Sequence, residues 1–197
     1  MMTSLANYLR MQGRVAEAEP IYKQCLELRE QALGPGHAST LSSLSNYASI
    51  CQLLHRVDDA ERMHKICLDL RTKTLGWEHP NTMASIYNLG SLYTSQGRFA
   101  EAEPLFAELL KYRSKMLGND HRDVMECSAM LAGICASLGK FALSERLYGA
   151  AIRTGEMLLG KAHSHVIQWR ENQEESVLAL WKQSIEEFDS TREPEDV

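Results

Sequence analysis

A five-residue signature, Leu-Gly-x-x-His, occurs four times in this chain, beginning at Leu33, Leu75, Leu117 and Leu159, each copy 42 residues after the last. Self-similarity at a period of roughly 20–50 residues marks a repeat architecture, in which each unit buries its apolar face only by stacking on its neighbours. A second set keeps the same register half a period away: Gly13-Arg14-Val15, His55-Arg56-Val57, Gly97-Arg98-Phe99 and Gly139-Lys140-Phe141. Two breaks per period cut each unit into two segments. Between the breaks apolar residues recur at helical spacing, as in Leu89, Leu92 and Tyr93, then Phe99, Ala102, Phe106 and Leu109. Each unit therefore reads as a helix, a tight turn and a second helix.

The Leu-Gly-x-x-His junction reads as a stop followed by a start. Gly34, Gly76, Gly118 and Gly160 fall just past an amphipathic run, where a helix is expected to end in a left-handed residue that glycine adopts cheaply. The histidines then open the next helix. Pro80, directly after His79, suits the first helical position, where its missing N–H costs nothing, so His79 is the expected cap. Pro20 and Pro104 fall inside second helices, which they are expected to bend rather than end.

Small residues occupy two fixed places per unit: Ala6, Ala48, Gly90 and Ala132 on the first helix, and Ala18, Ala60, Ala102 and Ser144 on the second. Tyr22, His64, Phe106 and Tyr148 supply a large ring one turn later. This order resembles the tetratricopeptide repeat. The stretch from Asn88 to Leu105, N-L-x-x-L-Y-x-x-Q-G-R-F-x-E-A-E-P-L, resembles the kinesin-light-chain subtype, whose unit is longer than the usual ~34 residues. His55 in place of the turn glycine and His64 in place of the ring make the second unit the least ideal.

The resemblance implies an all-α, right-handed superhelical solenoid of antiparallel helix pairs. About four repeats are expected, at residues 1–36, 37–78, 79–120 and 121–163. The fifth unit departs, with Gln173 and Glu174 at places that should be apolar, while Val166, Ile167 and Trp169, then Val177, Leu178, Trp181, Ile185 and Phe188, keep helical spacing. A C-terminal capping helix is therefore expected over 164–188, since a solenoid needs its end face covered, followed by a disordered acidic tail over 189–197. The first helix begins near Met1 without the prelude of every later unit, which implies a longer array or self-association through the uncapped N-terminal repeat.

In such a stack the first helices line a concave surface, and the resemblance implies that ligands lie along it. The implied groove residues are Asn7, Arg10, Ser45, Asn46, Ser49, Gln52, Tyr87, Asn88, Ser91, Thr94, Glu126 and Met130. Most are small or uncharged polar, which suits an extended peptide whose backbone both donates and accepts. Asn46 and Asn88, one repeat apart, stand out as holders of successive peptide units, with Tyr87 offering a ring; the competing reading is that both amides bond to neighbouring helices or to water. Arg10 is the one cation in the set, so a clamp for acidic chaperone tails is disfavoured for want of paired charge-assisted donors.

The function read from these features is a protein–protein interaction scaffold that binds a peptide or helical segment in the concave groove. The alternative is a regulatory or sensor repeat region of a larger multidomain switch protein. No Gly-rich phosphate loop, nucleophile elbow or H-E-x-x-H motif is present, and the chain is read as a non-enzyme without a cofactor. The repeated histidines sit too far apart, by a helix-packing distance of ~8–10 Å or more, to share one metal. The five cysteines lack metal-ligand or redox spacing and are expected as reduced, packed thiols. A net charge of -5 offers no footprint for nucleic acid, and no apolar stretch or signal-like N-terminus points to a membrane, so a cytoplasmic place is expected.

Overall fold

The computed structural model describes the backbone of residues 2–190 and the side chains of residues 2–186. The acidic tail expected from residue 189 lies, from 191 on, outside the described residues, as does the Phe188 side chain. The described residues form helices α1 (Met2–Met11), α2 (Val15–Leu33), α3 (Ala38–Leu53), α4 (Val57–Leu75) and α5 (Pro80–Ser95), then α6 (Phe99–Leu117), α7 (Arg122–Ser137), α8 (Phe141–Leu159) and α9 (Ser164–Ser190), with no strand among them. α2 and α6 run on through Pro20 and Pro104.

The chain divides into two compact units, one up to Gln96 and the other from Gly97. The division falls inside the third repeat rather than between repeats. Within each unit every helix packs on its neighbours in sequence.

Histidine caps open the first helices. The Nδ1 atoms of His37, His79 and His121 accept from the backbone N–H of Ser39, Asn81 and Asp123, each at 3.1 Å, and His163 accepts from His165 N at 3.3 Å. Each bond satisfies one of the four N–H groups that a helix start leaves without a partner. Nδ1 is then the acceptor and Nε2 carries the proton.

The two breaks per period exchange the roles expected of them. Gly34, Gly76, Gly118 and Gly160 have φ of 82–88° but ψ of 155–170°, an extended backbone at positive φ rather than the left-handed helical cap. The Schellman-type cap lies instead at the hairpin turn. There Arg14 N donates to Leu9 O at 3.0 Å across Gly13, and Lys140 N to Cys135 O at 2.9 Å across Gly139. His55 takes this place in the second repeat with φ 59°, and Arg56 N still donates to Cys51 O at 2.8 Å.

The core of unit 1 is built where the period puts small and large residues together. Ala6, Ala18, Ala48 and Ala60 are fully buried and let paired helices approach, while Tyr22, Leu44, Ile50 and Met63 fill the space beside them. His64 takes the ring position of the second repeat, fully buried, with neither ring nitrogen hydrogen-bonded. Burial first, and then the charge of Arg71, lowers its pKa to about 4.

Arginines fasten the second helices of the first three repeats to the next first helix. Arg29 Nη1 donates to Ser39 O at 3.0 Å and Ser43 Oγ at 2.7 Å; one period on, Arg71 Nη1 donates to Asn81 O at 3.1 Å and Ser85 Oγ at 2.8 Å. In unit 2, Arg113 Nη1 donates to Asp123 O at 3.2 Å. The fourth copy of the position is Gly155, and the partner place is taken by Trp169 of α9.

α9 completes unit 2. Val166 and Trp169 join Ala132, Tyr148 and Ile152 in its core, Ser144 and Ser176 share a buried hydroxyl contact at 3.1 Å, and Gln173 Nε2 donates to Glu145 O at 3.1 Å. The polar Gln173 that breaks the sequence pattern thus serves as a fastener to α8. Past this contact the helix keeps Val177, Leu178, Trp181 and Ile185 exposed.

Candidate functional site

Unit 1 carries a polar recess of about 250 Å3 on its first helices. Asn7 and Arg10 come from α1, Ser45, Asn46 and Ser49 from α3, and Asn88 from α5. The period makes this convergence: residues 42 apart on successive first helices face the same side. Six of the twelve groove residues expected from the sequence meet here. Tyr22 of α2 also lines the recess, a residue expected only as a core ring. A buried tyrosine needs a partner for its hydroxyl, which is the signal that would have found it: Tyr22 OH donates to Asn7 Oδ1 at 2.5 Å.

Asn46 and Asn88 are not equivalent in the fold. Asn88 Nδ2 donates to Ser45 Oγ at 3.1 Å, tying α5 to α3, while Asn46 is exposed. One of the two amides is thus partly engaged by a neighbouring helix. The hydroxyls of Ser49 and Thr94 turn back to the carbonyls of Ser45 and Gly90, at 3.0 and 2.9 Å. Ser91 Oγ is buried without a hydrogen bond, Gln52 and Tyr87 are half-buried, and none of the four besides Ser49 lines the recess. Arg10 is exposed and forms no ion pair among the described residues.

The two remaining expected residues lie in unit 2. Glu126 accepts from Arg122 Nε at 2.9 Å on the same helix, and Met130 is half-buried.

Reactive chemistry is subdued among the described residues. All five cysteines are free and buried, and burial pushes the thiols of Cys67 and Cys127 up to about 11 and about 12, which keeps them protonated and poorly nucleophilic. No group of three or more His, Cys, Asp or Glu residues among the described residues could hold a metal ion. No helix of the described residues is long and apolar enough to cross a membrane.

The family model of the tetratricopeptide repeat matches residues 1–73, 39–115 and 82–157, in overlapping windows that together span most of the chain. The chain belongs to the tetratricopeptide repeat family. It is an all-α repeat solenoid of the kinesin-light-chain-like type and, as a member of this family, a protein-interaction scaffold on a fold that is generally non-enzymatic. Its structure is similar to that of the nearly identical tetratricopeptide-like repeats of a putative kinesin light chain from Podosopora anserina, at a TM-score of 0.80 and 22% identity over 93% of this chain and 87% of that one. It is also similar to BtubC (BKLC) from P. vanneervenii, at a TM-score of 0.78 and 17% identity over 100% of this chain and 82% of the other. MamA protein aligns at a TM-score of 0.58 and 16% identity over 100% of this chain and 96% of its own. A search of curated proteins finds no match.

Proposed function

We propose that this tetratricopeptide repeat protein binds an extended segment of a partner protein along the first helices of unit 1. The observation that carries the reading is the convergence of side-chain amides from α1, α3 and α5, with the single cation Arg10, in one recess. Each amide both donates and accepts, which matches the alternating N–H and C=O groups of a peptide. Asn46 holds a peptide unit with its free amide, Asn88 does so with the oxygen that Ser45 leaves unused, and Arg10 meets an acidic side chain of the ligand. Five free cysteines, all buried, fit a reducing compartment such as the cytoplasm.

The test is capture of a partner segment by the full chain and by an Asn46→Ala, Asn88→Ala double variant, with circular dichroism to show that both fold alike. Loss of the segment by the double variant, by about tenfold or more in Kd, supports the groove. Equal binding by both proteins overturns it.

A second reading concerns self-association through the first repeat. It is favoured by the face of α1, where Leu5, Tyr8 and Met11 are 54, 58 and 78% exposed. Light scattering of the purified chain checks it: a mass that doubles with concentration supports the reading, provided that Tyr8→Glu abolishes the change, and a monomer at all concentrations removes it.

A further inference from the structure

We infer that the second half of α9, in unit 2, is a docking face for an amphipathic helix of a partner protein, apolar along one side and flanked there by lysine or arginine. Glu174, Val177, Leu178, Trp181 and Ile185 recur at the spacing of one helical face. The four apolar side chains are 47, 56, 64 and 40% exposed. A contiguous apolar stripe of this kind marks an interaction surface.

The period shows what this face lacks. Val177 stands one period after Cys135, and the same place in the earlier repeats is held by Tyr93, Cys51 and Leu9, all four of them buried. Glu174 stands at the place of Ala132, Gly90, Ala48 and Ala6, which are buried as well. α1, α3 and α7 each pack on the second helix that follows, and their residues at these places lie in the shared cores. α9 makes no such turn. Trp181 falls at the place of the turn residues Gly13, His55, Gly97 and Gly139, and the helix runs straight through it to Ser190. Among the described residues no second helix doubles back over Val177.

This seat selects its occupant by shape and by charge. The same places take a helix in the other repeats, and a helix arrives with its backbone N–H and C=O groups already paired, whereas an extended segment would lay them unpaired on apolar side chains. Glu174 lies in line with the stripe, with Glu171, Glu175 and Glu186 along its flank; all four are exposed and form no ion pair among the described residues. Lys182 is the one cation on that flank, and Arg170 is already held by Glu156. Lysine or arginine on the partner would lay its stem over the apolar stripe and bring its charge to these carboxylates. A second copy fits poorly, because α9 against α9 would set the same acidic flank against itself. The face is separate from the recess of unit 1.

The experiment is a titration of the full chain, at physiological salt to screen its general negative charge, with a synthetic peptide of leucine and lysine about 18 residues long whose leucines fill one helical face. Two controls accompany it, one with glutamate in place of lysine and one with the same composition scrambled. The expected result is saturable binding of the lysine peptide, at least about tenfold tighter than either control by fluorescence anisotropy. Trp181→Ala and Leu178→Ala should each weaken it about tenfold, and Glu174→Lys about fivefold, while Glu30→Lys on α2 leaves it unchanged. Every replaced side chain is exposed, so the fold is retained, which circular dichroism checks. Equal affinity for the lysine and glutamate peptides, binding indifferent to Trp181→Ala, or no saturable binding overturns the proposal. So does a concentration-dependent dimer of the free chain that Trp181→Ala abolishes, which would assign the face to a second copy.

Discussion

Gly155 of α8 lies so close to Trp169 of α9 that a β-carbon at 155 would stand 2.9 Å from Trp169 Cζ3 and 2.9 Å from Val166 Cγ2. At the junction of the second and third repeats the same two places hold Arg71 and Ser85, a long donor reaching a small acceptor. At the last junction the sizes are reversed, a glycine against an indole. Extending the repeat onto α9 therefore required a change on both sides at once.

Gly155→Ala should lower stability by about 1 kcal/mol net, because overpacking against two stiff side chains, ~1–3 kcal/mol, exceeds the helix-propensity gain of ~1 kcal/mol. Gly149→Ala, six residues earlier, should raise stability by up to ~1 kcal/mol. Its β-carbon would meet only the flexible ends of Gln173 and Arg153, at 3.2 and 3.6 Å. Urea unfolding of the pair checks both signs, and two shifts in the same direction would count against the packing argument.

His64 makes stability depend on pH. Its folded pKa, lowered by burial to about 4, lies below the ordinary value of 6.5, so between these values the unfolded chain binds more protons than the folded one. The stability is complete above pH 6.5 and is lost as pH falls toward 4, by on the order of 3 kcal/mol in all. His64→Phe, the residue of the third repeat, should flatten that part of the profile. It should also stabilise the fold near neutral pH by removing two buried nitrogens without partners. Denaturant midpoints at pH 7, 6 and 5 for both proteins decide the matter.

His55 occupies a turn place that is glycine in three other repeats, at φ 59°. A left-handed conformation costs a side-chain-bearing residue ~1–2 kcal/mol, partly offset here because glycine loses more entropy on folding. His55→Gly should thus stabilise the protein by about 0.5–1 kcal/mol, with the thermal midpoint rising by a few degrees.

Arg71 is buried with hydrogen bonds to a carbonyl and a hydroxyl, and burial lowers its pKa from the ordinary value. Arg71→Ala should cost ~2–3 kcal/mol, the value of hydrogen bonds to a charged group plus lost packing. Arg71→Lys should recover only part, because an ammonium lacks the planar fork. Chemical denaturation of the three proteins measures the series, and full rescue by lysine would show that charge alone matters.

The helices, their order and the histidine caps were legible because each is written four times in the same register. Ala6, Ala48 and Ala132, or His37, His79 and His121, identify one another. What was not legible is what breaks the period. Asn46 and Asn88 share a repeat position, yet only Asn88 reaches a serine on the preceding first helix. Gly155 reads as a plain helix residue until Trp169 is seen against it. Tyr22 carries a core signature and turns its hydroxyl to the groove, because one side chain can serve both faces of a thin layer.

Within each unit, the packing of each helix on its neighbours in sequence has a consequence for how this gene can change. Duplicating or deleting one whole 42-residue period would leave every surviving junction of a kind already present, with a cap, a turn and a small-residue seam in register. An insertion inside a helix that is not close to a whole number of turns would rotate its apolar stripe away from its neighbours. Length is thus free to vary in quanta, except at the Gly155–Trp169 junction, which matches no other and fixes where new repeats can be added.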